Sequence, residues 1–148
     1  AEDGQLLQTL PVGLELSEAL LERGQDRYNV FCSPCHGYTG YGNGMIVQRG
    51  FKPPPSFHAK RLKESPVGYF YAIITNGYGA MYSYAASIKP EDRWAISAYV
   101  KALQLSQDMR VSDLSSDERA LIGKGPVSAD GAAHGDAHGG HDGEAHHD

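Results

Sequence analysis

Cys32-Ser33-Pro34-Cys35-His36 decides how the rest of this chain is read. A Cys-x-x-Cys-His run is the attachment signature of a c-type haem: the two thiols add across the porphyrin vinyl groups, and the adjoining imidazole offers a nitrogen to the iron. Cys32 and Cys35 are the only 2 cysteines of the 148 residues, so a haem held this way leaves none for a disulfide. Two rival readings fit less well. A thioredoxin-like dithiol needs a βαβ setting, which the sequence pattern lacks. A structural zinc site needs a second Cys/His pair at ligand spacing in an ordered region. The sequence therefore predicts one covalent haem c on Cys32 and Cys35, with His36 as an axial ligand.

The opposite axial position is filled by a side chain, left to water or offered to a substrate. Methionine is the usual partner in electron-transfer sites, because a thioether favours ferrous iron and raises the reduction potential. Of three methionines, Met81 lies in Asn76-Gly77-Tyr78-Gly79-Ala80-Met81, a glycine-bearing loop between two helical patterns. Met45 follows His36 by only nine residues, a short path to the other haem face, and Met109 lies past the last strong helix. Met81 is the expected ligand, with Met45 and His58 as alternatives; a methionine that merely fills core space is the plain reading to set against it.

Three helical patterns surround these sites. The first starts at Ser17 as N-cap and runs toward Cys32, placing Leu20, Gly24, Tyr28 and Phe31 on one face. Gly24 in its interior costs about 1 kcal/mol against alanine, so a close helix crossing is the compensating reason. The second runs from Pro66 to Asn76, with Ser65 as cap, Gly77 as terminator and Tyr69, Phe70, Ile73 and Ile74 as the buried side. The third starts near Pro90, with Glu91 and Asp92 at the positive end of its dipole and a stripe of Trp94, Ala95, Ala98, Tyr99, Ala102 and Leu103. Trp94 and Tyr99 are expected to pack across Gly24 and Tyr28. A further short piece is expected from Ser116-Asp117-Glu118 to Gly123.

Between the haem motif and the second helix, five glycines (Gly37, Gly40, Gly42, Gly44 and Gly50) and Pro53-Pro54-Pro55 predict a long wrapped loop, with the cofactor replacing the missing core. A carbonyl near Pro53 or Pro54 is a candidate acceptor for the free nitrogen of His36; a stiff connector is the simpler reading of the run.

Length and charge bound the rest. The chain has the size of one domain, and no run of eighteen apolar residues is present to span a membrane. Residues 1–128 hold all 13 Lys and Arg and are formally neutral; Asp130, Asp136, Asp142, Glu144 and Asp148 account for the net charge of −5. The same tail carries five of the 7 histidines (His134, His138, His141, His146 and His147) and no large apolar residue. Such a composition predicts a disordered, solvated segment, with divalent metal binding or pH sensing as the sharper readings. Expected boundaries are an N-terminal extension 1–16, a cytochrome domain 17–106, a C-terminal extension 107–128 and the His/Asp/Gly-rich tail 129–148.

Gly24 and Tyr28 ahead of Cys32, Cys-x-x-Cys-His-Gly, a Pro-Pro loop, a Gly-x-x-Met loop and an aromatic final helix together resemble the class I cytochrome c family over about Ser17 to Leu105. The resemblance implies an all-α fold with one covalent haem, long wrapped loops and, here, extended N- and C-terminal segments. Three stretches, Tyr28 to Gly37, Gly42 to Phe51 and Val67 to Met81, resemble more narrowly the monohaem cytochrome c subunit of bacterial alternative complex III, a quinol-oxidising membrane complex. That implies a peripheral, periplasmic-side subunit of the inner membrane. It would take electrons from a multihaem cytochrome c and pass them toward an oxidase or a soluble carrier in a respiratory or photosynthetic chain. One departure is that Tyr82 follows Met81 where proline is common in the class. Members of the narrower family are often lipid-anchored through an N-terminal cysteine; these residues offer none, and docking through protein contacts suffices.

Because covalent c-type haem is made outside the cytoplasm, a removed signal segment is expected. His36 and Met81 together would leave the iron no open position, so an electron-transfer protein is expected rather than an enzyme. A free periplasmic carrier, or the cytochrome partner of a dehydrogenase, is the alternative to a subunit. A haem enzyme or gas sensor would require Met81 not to bind. The leucine-rich start (Leu6, Leu7, Leu10, Val12, Leu14, Leu16) either docks a partner or packs back on its own domain.

Overall fold

The structure is a computed structural model and describes residues 6–109 and 113–117. The chain divides into two compact units, Ala1–Met109 and Arg110–Asp148. In the second, Ser116 and Asp117 are helical; the rest of the short piece expected to reach Gly123 and the histidine-rich tail lie outside the described residues.

The first unit contains α1 (Glu18–Phe31), three single turns α2 (Ser33–His36), α3 (Met45–Gln48) and α4 (Lys60–Lys63), then α5 (Val67–Asn76) and α6 (Pro90–Asp108). No strand occurs among the described residues, so the all-α expectation holds. The region predicted as one wrapped loop holds the two short turns α3 and α4, each a single turn of four residues.

Ser17 caps α1 as predicted, its Oγ accepting from the Leu20 N–H at 3.2 Å. Ser65 does not cap α5. Pro66 occupies that position with extended backbone, and the Ser65 hydroxyl instead donates to the Arg61 carbonyl, finishing α4. The expected buried side of α5 is shifted: Val67, Gly68, Phe70 and Ile74 are buried, while Tyr69 and Ile73 are only half-buried.

α1 and α6 cross at Gly24, where a Cβ would lie 2.2 Å from the Ala95 carbonyl oxygen and 2.8 Å from Tyr99 Cβ. Only a residue without a Cβ permits that approach. Tyr28, fully buried, packs on Tyr99 across the crossing with ring centroids 5.3 Å apart. At its margin Arg23 grips Asp92 through two bonds of 2.7 and 2.8 Å. Trp94 does not join this contact. It stacks on Tyr71 of α5 (4.2 Å, 18°), because its place on α6 faces α5 rather than α1.

The core comprises Tyr28, Leu62, Phe70, Ile74, Ile88, Ile96, Val100 and Leu103. The N-terminal segment is tied to this unit by its backbone, while the side chain of Leu7 itself is 41% exposed. The Leu7 carbonyl accepts from the Gly68 N–H at 2.9 Å, satisfying one of the free donors at the start of α5, while Val12 and Leu16 remain exposed.

Candidate functional site

The Cys-x-x-Cys-His run forms α2, one turn that follows α1 after the single residue Cys32. The returning loop satisfies its carbonyls: Gly37 N–H bonds Ser33 O (2.8 Å), Gly42 N–H bonds His36 O (2.9 Å) and Gly44 N–H bonds Cys35 O (3.1 Å). The Tyr28 hydroxyl donates to the Gly37 carbonyl at 2.7 Å and ties this turn to the helix crossing. Cys32, Cys35 and His36 are thereby brought to one place.

Both cysteines are free thiols. Burial, and then the neighbouring Cys35, pushes the Cys32 thiol up to about 12. A thiol so held is no ready thiolate, which counts against a reactive dithiol. Burial lowers His36 to about 4, so its imidazole is neutral, the form that ligates metals. The His36 ring stacks on Phe57 (4.5 Å, 11°), and its Nδ1 is buried without a hydrogen-bond partner. The expected acceptor near Pro53 or Pro54 is therefore not engaged; the Pro54 carbonyl faces Gly42 instead. Two free thiols, a neutral imidazole with an unspent buried nitrogen and a thioether packed on the same core cluster as Cys32 are a donor set that fits a covalently held haem.

The thioether is Met81. A tight turn carries it: Tyr78 N–H bonds Met81 O (2.9 Å) and Met81 N–H bonds Tyr78 O (3.0 Å). Gly77, at φ 78, ends α5 and lets the Met81–Ser83 backbone pass within a distance no Cβ would allow. Met81 is half-buried and packs on the core cluster, as do Phe31, Cys32, Phe57 and Tyr84. The alternatives are placed differently. Met45 is 56% exposed and Met109 44%, and His58 commits its Nε2 to the Thr39 carbonyl at 2.6 Å.

Two aromatic residues escaped the sequence reading. Phe57 stacks on His36; its place just after the proline run was the available signal. Tyr84 packs on the core cluster edge-on to Phe31; burial raises its phenol, and the charges of Cys32 and Cys35 add to the effect. A groove of about 590 Å³, lined by Leu10, Leu21, Val67, Ala98 and Leu105 among others, includes none of these residues and is not the site.

An all-α fold closed by a glycine-bearing helix crossing, with a Cys-x-x-Cys-His turn against its core, defines a class I c-type cytochrome. The sequence profile described as cytochrome c oxidase, cbb3-type, subunit III matches residues 19–100, and the chain belongs to that family of haem c proteins. Its domain is one that transfers electrons through a covalently bound haem c. No curated protein matches the chain. Among solved structures, it is similar to a chain of the Kuenenia stuttgartiensis reducing HAO-like protein complex, with 27% identity and a TM-score of 0.52. The match covers 69% of this chain and 52% of that one, so this chain spans about half the length of its relative. No helix among the described residues is long and apolar enough to cross a membrane.

Proposed function

We propose that the chain transfers single electrons through one haem c bound to Cys32 and Cys35, with His36 and Met81 as axial ligands. The placement of Met81 carries this reading. It packs on the same core cluster as Cys32 and Phe57, and Phe57 stacks on His36, whereas Met45 and Met109 are exposed. A haem so held supplies a one-electron ferrous/ferric couple. His36 stays neutral by burial and keeps its ring plane against Phe57. A thioether from Met81 would favour the ferrous state. Tyr28 fixes the backbone directly after His36. A haem held by both His36 and Met81 would offer a substrate no open position, which favours electron transfer over bond-making chemistry.

The cytochrome domain is taken as 17–106, flanked by the extensions 1–16 and 107–128 and the tail 129–148. The stretches that resemble the alternative complex III subunit support a peripheral role on the periplasmic side of a bacterial inner membrane, between a multihaem cytochrome c and an oxidase or soluble carrier. That the Kuenenia relative belongs to a protein complex supports a subunit rather than a free carrier.

Absorption spectra of the oxidised protein test the ligation. The weak far-red charge-transfer band of iron–methionine bonding is expected, and Met81→Ala removes it while Met45→Ala does not. High-spin features, or ready carbon monoxide binding by the unaltered protein, would overturn the assignment. Co-purification with a multihaem protein in mild detergent tests the subunit role; a free monomer would establish the alternative, a periplasmic carrier or dehydrogenase partner.

A further inference from the structure

The Met81 loop runs from Gly77 to Lys89, between α5 and α6, and one side chain joins its two ends. Arg93, the fourth residue of α6, is only 7% exposed. Its Nε donates to the Ile88 carbonyl at 3.0 Å, and its Nη1 donates to Thr75 Oγ1 at 2.7 Å. Thr75 lies one residue before the end of α5, and Ile88 is the loop's buried anchor at 2% exposure. The guanidinium also sits 5.3 Å from the centre of the Tyr71 ring, which Trp94 covers from α6. No carboxylate of the described residues pairs with it.

A buried charge without a counter-charge is costly, and an apolar side chain would fill this position more simply. What a guanidinium adds is a planar fork with donors at fixed separation. Here the fork spans the start and the end of one loop. The same α5 terminus holds the loop at two further points: the Ser83 hydroxyl donates to the Thr75 carbonyl (2.5 Å), and the Tyr84 N–H bonds the Ile74 carbonyl (2.9 Å). Thr75 itself is steadied by donating to the Tyr71 carbonyl at 2.7 Å. Met81 thus projects from a segment whose exit is fixed by Ser83 and Tyr84 and whose overall span is fixed by Arg93.

We propose that Arg93 is a positioning residue for Met81: by bridging Thr75 to Ile88 it sets the span of the loop and holds the thioether against the core. This rests on Met81 being an axial ligand.

The test follows two signals during guanidinium titration of the oxidised holoprotein: the far-red iron–methionine band and helical circular dichroism. Arg93→Lys and Thr75→Val are compared with the unaltered chain; Thr75→Val removes one acceptor while keeping side-chain shape. In both variants the band is expected to fade before the helices unfold, with the equilibrium constant for its loss raised roughly tenfold, the factor that one charge-assisted hydrogen bond carries. If Arg93→Lys does not fold, Thr75→Val alone decides. If the unaltered protein has the band and the variants lose it only together with the helices, the role of Arg93 is refuted and the Met81 reading stands. An unaltered protein with no band at all refutes the Met81 reading, and this inference with it.

Discussion

Gly24→Ala is the most demanding test of the helix crossing, because two opposing effects act on the same atom. On helix propensity alone, the added methyl stabilises α1 by about 1 kcal/mol. Its position reverses the sign. The new Cβ would lie 2.2 Å from the Ala95 carbonyl oxygen and 2.8 Å from both the Ala95 carbonyl carbon and Tyr99 Cβ, where ordinary contact begins near 3.4 Å. Two of those atoms are backbone of a fully buried turn, with Ala95 at 0% exposure, and cannot rotate aside as a side chain would. The helices must part by about 1 Å, which forfeits roughly a quarter to a half of the dispersion attraction of each contact along the seam. Overpacking of this kind costs about 1–3 kcal/mol, and rigid neighbours put this site at the upper end. After subtraction of the propensity gain, a net loss of about 2 kcal/mol is expected, roughly a thirtyfold fall in the folded-to-unfolded ratio. Thermal unfolding of the holoprotein, followed by circular dichroism, should show a midpoint lower by about 10 °C for a domain of this size. A midpoint equal to or above that of the unaltered protein would refute the close crossing.

Tyr28→Phe removes the donor to the Gly37 carbonyl inside the core and should cost about 1–3 kcal/mol, read as a lower denaturant midpoint with unchanged slope; an unchanged midpoint would mean that the bond does not anchor the haem-motif turn. Acid dependence is the signature of the Arg23–Asp92 pair. The hydrogen bond from Arg23 holds the Asp92 carboxyl below its ordinary value, so its contribution is full above the unfolded carboxyl value of about 3.9 and is lost as pH falls through the lower folded value. The stability gap between the unaltered chain and Asp92→Asn should therefore be constant near neutrality and shrink on acidification below about pH 4. A gap that persists into acid would exclude that pair as its source.

What could be read from the sequence was what neighbours in the chain determine. Ser17 announces α1, Pro90 opens α6, Gly77 stops α5, and the motif's spacing brings Cys32, Cys35 and His36 together. Gly24 was legible too, since an interior glycine that costs stability demands a compensating contact. Readings failed where partners stand far apart in the chain. Whether Trp94 meets α1 or α5 depends on how α6 is rotated, which periodicity does not fix, and the Leu7–Gly68 bond joins segments without pattern in common. Ser65 looked like a cap because its type favours that role, but an acceptor at Arg61 was nearer. Arg93 was unreadable for another reason: a charged residue in the first turn of a helix ordinarily signals solvent, and only the positions of Thr75 and Ile88 show it buried.

The crossing of α1 and α6 also imposes an order of assembly. Arg23 and Asp92 are 69 residues apart, and more than half of the described unit lies between the two helices that complete it. Closing so long a loop carries an entropic cost before any contact rewards it, and folds dominated by distant contacts form slowly. A polypeptide emerging from its N-terminus presents the Cys-x-x-Cys-His turn long before Ala95 exists. Until then the Gly24 face of α1 has nothing to rest on, and the two thiols sit on an unpacked strand of chain within reach of any machinery that modifies them. The arrival of Pro90–Asp108 ends that interval, so the helix furthest from the motif along the chain is the one that seals it.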